Sequence, residues 1–217
     1  LGRGMLSRLI YGARTAMFIG LVALGTGAFV GTVLGLVAGF QAGWVDAVIM
    51  RLADAVMGFP TILVAMIIVT ILGAGIENII LAVAVTVWAR FARMIRGEVL
   101  SVKEMDFVTL ARITGVSTPV MIVRHVFPNT VNTLMVITSL QVGQVILLEA
   151  SLSFLGLGLP VGAPAWGIMV AEGRTVILDV WWLALLPGLA ITVVVLAFNF
   201  FGDWLRDALD PKLRRLG

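Results

Sequence analysis

The chain has no cysteine and a single histidine, and only 12% of its 217 residues are charged. Without thiols there is no disulfide, no thiolate metal site and no cysteine nucleophile. The one histidine, His125, has no carboxylate cluster beside it in sequence, so neither a metal site nor a catalytic dyad is expected. A helix end or an interface is its expected place. The shortage of charge excludes more. A soluble domain usually carries about a quarter charged residues, whereas this chain is 60% hydrophobic with a mean hydropathy of +1.10. There are too few charges to cover a surface facing water, so much of the chain must face lipid. No Gly-x-x-x-x-Gly-Lys-Ser/Thr run occurs, which excludes phosphate binding of the Walker kind. The net charge of +3 does not point to nucleic acid, because basic excess in a membrane protein reflects its cytoplasmic loops.

What is present is a set of long uncharged runs. About 20 residues of helix cross a bilayer, and Thr15–Val45, Ala55–Ile76 and Val180–Gly202 are each long enough. Val126–Leu148 is a fourth span if Pro128 and Asn129 begin it. Asn78–Ala89 is a fifth that runs into Arg90, Arg93 and Arg96. Those arginines share a helix face and are expected to snorkel towards phosphates where the helix leaves the membrane. The predicted fold is all-α with five transmembrane helices.

Lys and Arg placement orients them. With Arg90–Arg124, the tail after the last span and Arg51 inside, eleven basic residues lie inside and four outside. Residues 1–14, with Arg3, Arg8 and Arg14, then form an extracytoplasmic segment before the first span, and the C-terminus is cytoplasmic. Gly27, Gly31, Gly35, Gly39 and Gly43 recur every four residues. Such a stripe lets helix backbones approach closely in lipid, either for packing in the bundle or to line a pore.

The segment EVLSVKEMDFVTLARITGVSTPVMIVRHVFPN, between the third and fourth spans, carries the most information. Ser101 and Glu104 have capping-box spacing. Apolar positions follow through Ile113. Gly115 can close that helix in a left-handed cap, and Ser117 with Pro119 can begin the next. Pro128 is expected to break the second helix before the membrane. Two short helices with a glycine elbow either lie on lipid or dock onto a partner.

Aligned on Gly115 and Pro128, this loop resembles the EAA loop of ABC importer permeases without a gap. Thr109, Leu110 and Ala111 stand at the Glu-Ala-Ala positions, and His125 and Phe127 at those of Ile and Leu. LGRGMLSRLIYGAR, ASLSFLGLGLP, PAWGIMVAEGR and FNFFGDWLRDALDPKLR also look like segments of the dipeptide/oligopeptide branch of that family, in its order. Gly4 stands where that branch usually has Asp. The resemblance implies a type I ABC importer permease fold over residues 15–217, six-spanned in full, with its first helix absent here. It also implies a bacterial inner-membrane location and a pathway for di- or oligopeptides, nickel, glutathione or oligosaccharides. The implied partners are a second permease, with the two different subunits forming a heterodimer, two ATPase subunits that bind ATP and Mg, and an extracytoplasmic solute-binding protein. No cofactor is expected in this chain itself. Within the loop at 97–128, the helix from about Glu104 to Thr114 would be the coupling helix. Its contact residues would be Glu104, Met105, Asp106, Phe107, Thr109, Leu110, Ala111 and Arg112, with Gly115 and Pro128 shaping it.

Glu149, with Ser151 and Ser153, is a candidate for the solute path or an outer gate, since an ionisable residue at membrane depth is functional by default. The alternative is that Glu149 fixes the outer loop by hydrogen bonds. Asp46, Arg51 and Asp54 read as mutual partners at the inner interface, and Glu172 and Arg174 as loop surface. Trp166, Trp181 and Trp182 read as an interfacial aromatic belt. A secondary transporter or channel without ATPases is the rival reading, but it would need coupling ionisable residues or paired broken helices. A structural subunit of a larger membrane complex is a third.

Overall fold

The computed structural model describes residues 4–160 and 162–209, all of them in helices or the links between helices. The order is α1 Met5–Gln41, α2 Gly43–Met57, α3 Thr61–Leu72, α4 Ile76–Val102, α5 Asp106–Ile113, α6 Thr118–Met121, α7 Phe127–Phe154, α8 Trp166–Arg174 and α9 Trp182–Leu209. A π-helical turn, Ile122–Val126, joins α6 to α7. Four long helices can cross a membrane: α1, α4, α9 and the continuous run Thr118–Phe154. The pair α2 and α3, bent by 91°, makes a fifth crossing if taken together.

The α1–α4 seam organises the bundle. Gly27 meets Ala84 and Val87, Gly31 meets Trp88 and Phe91, Gly35 meets Ala92 and Ile95, and Gly39 meets Arg96 and Val99. Both series rise together, so the helices run parallel. A Cβ on Gly35 would sit 2.6 Å from the Ala92 carbonyl oxygen and one on Gly39 2.7 Å from the Val99 Cβ, so backbone lies directly against backbone. Apolar burial gives little drive for association in lipid, and close dispersion contact replaces it. Gly43 is not on this seam. The first helix stops at Ala42, whose φ is +56°, and Gly43 begins α2 where a Cβ would meet only open space.

The helix ends follow from this arrangement. α7 runs antiparallel to α4, since Arg90 reaches Gln144 while Glu98 accepts from Thr133. α9 runs antiparallel to α7, with Gly143 against Val195 and Gly202 against Leu140. The end of α1, the α4–α7 loop and the end of α9 therefore share one end of the bundle, here the loop end. At the other end, α8 is wedged among α1, α7 and α9. Gly12 lies under Trp166, Gly167 against Ala150 and Gly173 against Leu183 and Ala184.

Several expectations need correction. The first helix starts at Met5 rather than Thr15, so α1 takes in residues 5–14 as well. Arg8 there pairs with Glu172 at 2.7 Å, which neutralises one of the exceptions in the charge count. Arg3, Lys212, Arg214 and Arg215 lie outside the described residues. Trp166 is not in an aromatic belt: it is buried, and its indole N–H donates to the Leu9 carbonyl at 3.0 Å. Trp181 and Trp182 are exposed and stack edge to face. The Ser101–Glu104 capping box does not form, because α4 continues to Val102 and takes Ser101 with it. Pro128 breaks nothing. It occupies the first turn of α7, where a missing N–H costs little, and the π turn before it carries the helix through.

Replacing Gly35 by Leu is expected to force α1 off α4 and destabilise the protein by about 1–3 kcal/mol, the usual cost of overpacking. Gly25→Leu faces open space and should leave the thermal unfolding midpoint in detergent close to wild type. Equal losses from both would refute a seam confined to this face.

Candidate functional site

Arg90, Arg93 and Arg96 lie on the side of α4 away from or flanking the glycine seam. They do not snorkel. Each ties α4 to another helix. Arg96 grips Asp46 of α2 through two bonds, Nε to Oδ1 at 2.5 Å and one terminal nitrogen to Oδ2 at 2.6 Å. Arg93 pairs with Asp54 of α2. The expected Asp46–Arg51–Asp54 grouping is therefore wrong: both aspartates face α4 and Arg51 is in neither pair. The eight-residue step from Asp46 to Asp54, about 12 Å of helix, matches a three-residue step on α4 of about 4.5 Å. α2 must cross α4 obliquely, and the 91° bend into α3 follows.

Arg90 is different. It donates to Gln144 Oε1 at 2.5 Å, and more loosely to Gln141 Oε1 and Thr61 Oγ1, both at 3.4 Å. Among the described residues no carboxylate pairs with it. Its guanidinium lines a cavity of about 380 Å³ between α3, α4 and α7, with Thr61, Thr86, Gln141, Gln144 and Ser151 as the other polar walls. A more apolar recess of about 530 Å³ shares Ile62, Leu147 and Ser151 with it and extends past Phe154 to Gly188 and Thr192 of α9. A third of about 350 Å³ shares Arg90, Gln141 and Gln144 and reaches Arg93, Met94 and Leu140. Together they form one furrow along the bundle, polar near its middle and apolar beyond. Sequence reasoning passed over Thr61, Thr86, Gln141 and Gln144. The available signal was the pair of amides three residues apart, on one face of an otherwise apolar span.

The three residues proposed for a path or gate separate in the structure. Ser151 lines the furrow, with its hydroxyl donated to the Leu147 carbonyl. Glu149 is 1% exposed on the inner side of α7, accepting from the Ser153 hydroxyl at 2.7 Å. Ser153 in turn packs against Gly158 and Gly167. Ser153 thus joins α7 to the segment leading into α8, while Glu149 lies buried beside it within α7, its second carboxylate oxygen without a hydrogen-bond partner among the described residues.

At the loop end, α5 is held by two buried residues, Val108 and Ala111. The rest of it is exposed: Asp106, Phe107, Thr109, Leu110, Arg112 and Ile113, with Leu110 62% and Ile113 76% accessible. Glu104 and Met105 precede the helix, Met105 being its N-cap residue. Gly115 closes it with φ +83°. Val116 N–H bonds to the Ala111 carbonyl and Gly115 N–H to that of Arg112, both at 3.1 Å, which is a full Schellman closure. Val116 then packs into an apolar cluster of Leu36, Ile95, Val99, Val102, Val108, Met121 and Val126. Lys103 adds a bond to the Gly39 carbonyl at 3.1 Å. The loop is thereby fastened to α1, α4 and α7 at once. Pro128 is exposed at the start of α7, and His125 is half-buried in the π turn with its carbonyl accepting from Asn129.

Residues 31–215 match the family described as binding-protein-dependent transport system inner membrane component. A glutathione transport system permease protein of Pectobacterium atrosepticum is 42% identical over 99% of this chain and 71% of its own length. The corresponding protein of Escherichia coli O157:H7 is 44% identical over the same shares. A dipeptide transport system permease protein of Alkalihalophilus pseudofirmus is 41% identical over 98% of this chain and 70% of its own. Among solved structures, an inward-facing MetNI methionine ABC transporter chain superposes with a TM-score of 0.73 at 14% identity. That match covers 97% of this chain and all of the other. An amino acid ABC transporter gives 0.64 at 14% identity, covering 96% of this chain and all of the other.

Breaking the Arg96–Asp46 pair from one side leaves a half-buried charge without its partner. Asp46→Asn and Arg96→Gln are each expected to lower stability by about 1–3 kcal/mol, between exposed and fully buried pairs. The double variant should cost less than the sum. Strict additivity of the melting shifts would show that the two residues do not support one another.

Proposed function

The chain belongs to the family of binding-protein-dependent transport system inner membrane components and is a multi-pass permease subunit of an ABC importer, and on that premise we propose how its two surfaces divide the work. The furrow of α3, α4 and α7 is the wall of the solute path, completed by a second, different permease subunit. The loop end is cytoplasmic, and with it the C-terminus. α5 seats in one of two ATPase subunits, which bind ATP and Mg and supply the work. The chain itself is not an enzyme. An extracytoplasmic binding protein delivers the solute to the opposite end. The glutathione and dipeptide permeases among its relatives support a small peptide as the solute.

The observation that carries this reading is the state of α5. A helix of eight residues is too short to be stable alone, yet this one is closed by a Schellman motif and pinned through Val108 and Val116. It nevertheless leaves Leu110 and Ile113 open to solvent. Apolar side chains held rigidly outward suit a protein cleft. Through the cluster of Leu36, Ile95, Val99 and Val126, a push on α5 reaches α1, α4 and α7, and so the furrow. A secondary transporter would have no use for such a handle.

In the assembled complex, Ile113→Asp and Leu110→Asp are expected to abolish co-purification of the ATPases and cut dialanine and glutathione uptake at least tenfold, roughly the loss of one hot-spot residue. The helical content should not change. Gly115→Val forces a β-branched residue into a left-handed backbone at a cost of about 1–2 kcal/mol, and should uncouple hydrolysis from uptake while leaving the spans folded. Full transport by Gly115→Val would refute the coupling role of this helix.

A further inference from the structure

The three arginines of α4 differ in their compensation. Arg93 and Arg96 each have an aspartate of α2. Among the described residues Arg90 has only neutral oxygens, those of Gln144, Gln141 and Thr61. By helix rise Arg90 lies about 20 Å from either end of α4, at mid-length of a helix long enough to cross a membrane. A cation inside a membrane span is costly unless paired. Amide and hydroxyl oxygens satisfy its donors but leave its charge. The charge faces open space: the cavity of about 380 Å³ and the adjoining recess of about 350 Å³ both have the guanidinium in their walls. Gln141 and Gln144, being amides, also bring N–H donors to the same wall, whereas the Ser151 and Thr86 hydroxyls already donate to the Leu147 and Val83 carbonyls.

We propose that Arg90, with Gln141 and Gln144 beside it, is a carboxylate-binding subsite in the wall of the furrow, and that it takes the carboxylate of the passing solute. A guanidinium presents paired N–H groups that match the two oxygens of a carboxylate. The flanking amides can donate to the peptide carbonyls of the same molecule. The apolar recess lined by Leu147, Phe154 and Ile191 then accommodates the remainder of the solute. The site is shallow and open, so it holds the anion in transit without trapping it. This inference rests on the furrow being the solute path. Its electrostatic core, a cavity at mid-length of α4 whose cation has no carboxylate partner among the described residues, stands independently.

Two measurements on the complete importer separate these levels. The chain has no cysteine, so Ser151→Cys gives this subunit one thiol in the cavity wall, with any partner thiols removed. A sulfonate-bearing thiosulfonate reagent should label it at least about tenfold faster than a trimethylammonium one, and Arg90→Gln should abolish that preference. No preference in the presence of Arg90 would overturn the proposal, since a carboxylate of the partner permease would then be neutralising it. In proteoliposomes, Arg90→Gln should reduce uptake of dialanine about tenfold relative to wild type, roughly one lost charge-assisted bond. Uptake of dialanine amide should stay unchanged, and Arg90→Lys should partly restore the preference for the free acid. The binding protein is the same in every arm, so its own selectivity cancels. An equal fall for both solutes would reduce Arg90 to a purely structural role. Labelling that follows the expected pattern, with neither solute carried by wild type, would retain the anion site and reject dipeptides as the cargo.

Discussion

Backbone contact between α1 and α4 sets the positions of the other helices. At Gly31 and Gly35 any side chain would collide with the carbonyls of Trp88 and Ala92, so the two helices meet at the closest distance available to them and in a single register. Once α4 is fixed in that register, 3.6 residues per turn decide where its remaining side chains go. Arg90 and Arg93 must point away from the seam and Arg96 to its flank. Everything that satisfies those cations has to be built on that side, and α2, α3 and α7 are what is built there. In a medium where apolar surfaces gain little by meeting, a steric seam on one face and polar ties on the other are a sufficient basis for the bundle.

The polar ties are graded along α4. Near the loop end the partners are carboxylates, and Arg96 with Asp46 makes a bidentate pair. One turn and a half further into the membrane the partners become amides. Aspartate cancels a charge, whereas glutamine only solvates it. A bundle selected purely for stability would have the stronger compensation where the dielectric is lowest, deep in the span. Here the order is reversed, and the uncompensated cation faces the furrow rather than lipid. The arrangement costs stability, and it places an attractive wall where the proposed solute path would run.

The spans and the loop could be read from residue order because their causes are local. Uncharged length predicts crossings, and four long helices follow it, whereas the uncharged run Ala55–Ile76 breaks at Gly58–Pro60 into the end of α2 and the short α3, which make a crossing only as a bent pair. Gly115 has the left-handed φ that its place after an amphipathic turn suggested. What escaped depended on contacts distant in sequence. Asp46 and Asp54 seemed partners for the nearby Arg51, but Arg96 and Arg93 lie some 40 to 50 positions later and claim them. Trp166 seemed to belong with Trp181 and Trp182 until Gly12, at the opposite end of the chain, supplied a slot for its ring. Gly43 obeyed the four-residue spacing but falls past a helix end at Ala42 that no residue type signals. Of the pathway candidates, Ser151 and Glu149 differ by two positions and therefore by about 200° around the helix. Which of them faces inward depends on where α1 and α8 pack.

The π turn before α7 is explained by the same constraints. α6 must bring Met121 into the cluster under the loop, while α7 must aim Gln141 and Gln144 at Arg90 and Gly143 at Val195 of α9. A regular helix from Thr118 onward would fix both phases with one rotation, and Pro128 would remove a hydrogen bond from its interior. Widening one turn over Ile122–Val126 shifts the phase of everything after it and sets Pro128 where its missing N–H is tolerated. Val126 stays buried in the cluster, so the widened turn is packed rather than loose. Under the proposed coupling role, a displacement of α5 would reach α7 through Met121 and Val126, the buried residues of this stretch, and α7 carries the amides of the furrow. On that reading the loop and the furrow are linked through α7 and, by Ile95, Val99 and Val102 of the same cluster, through α4.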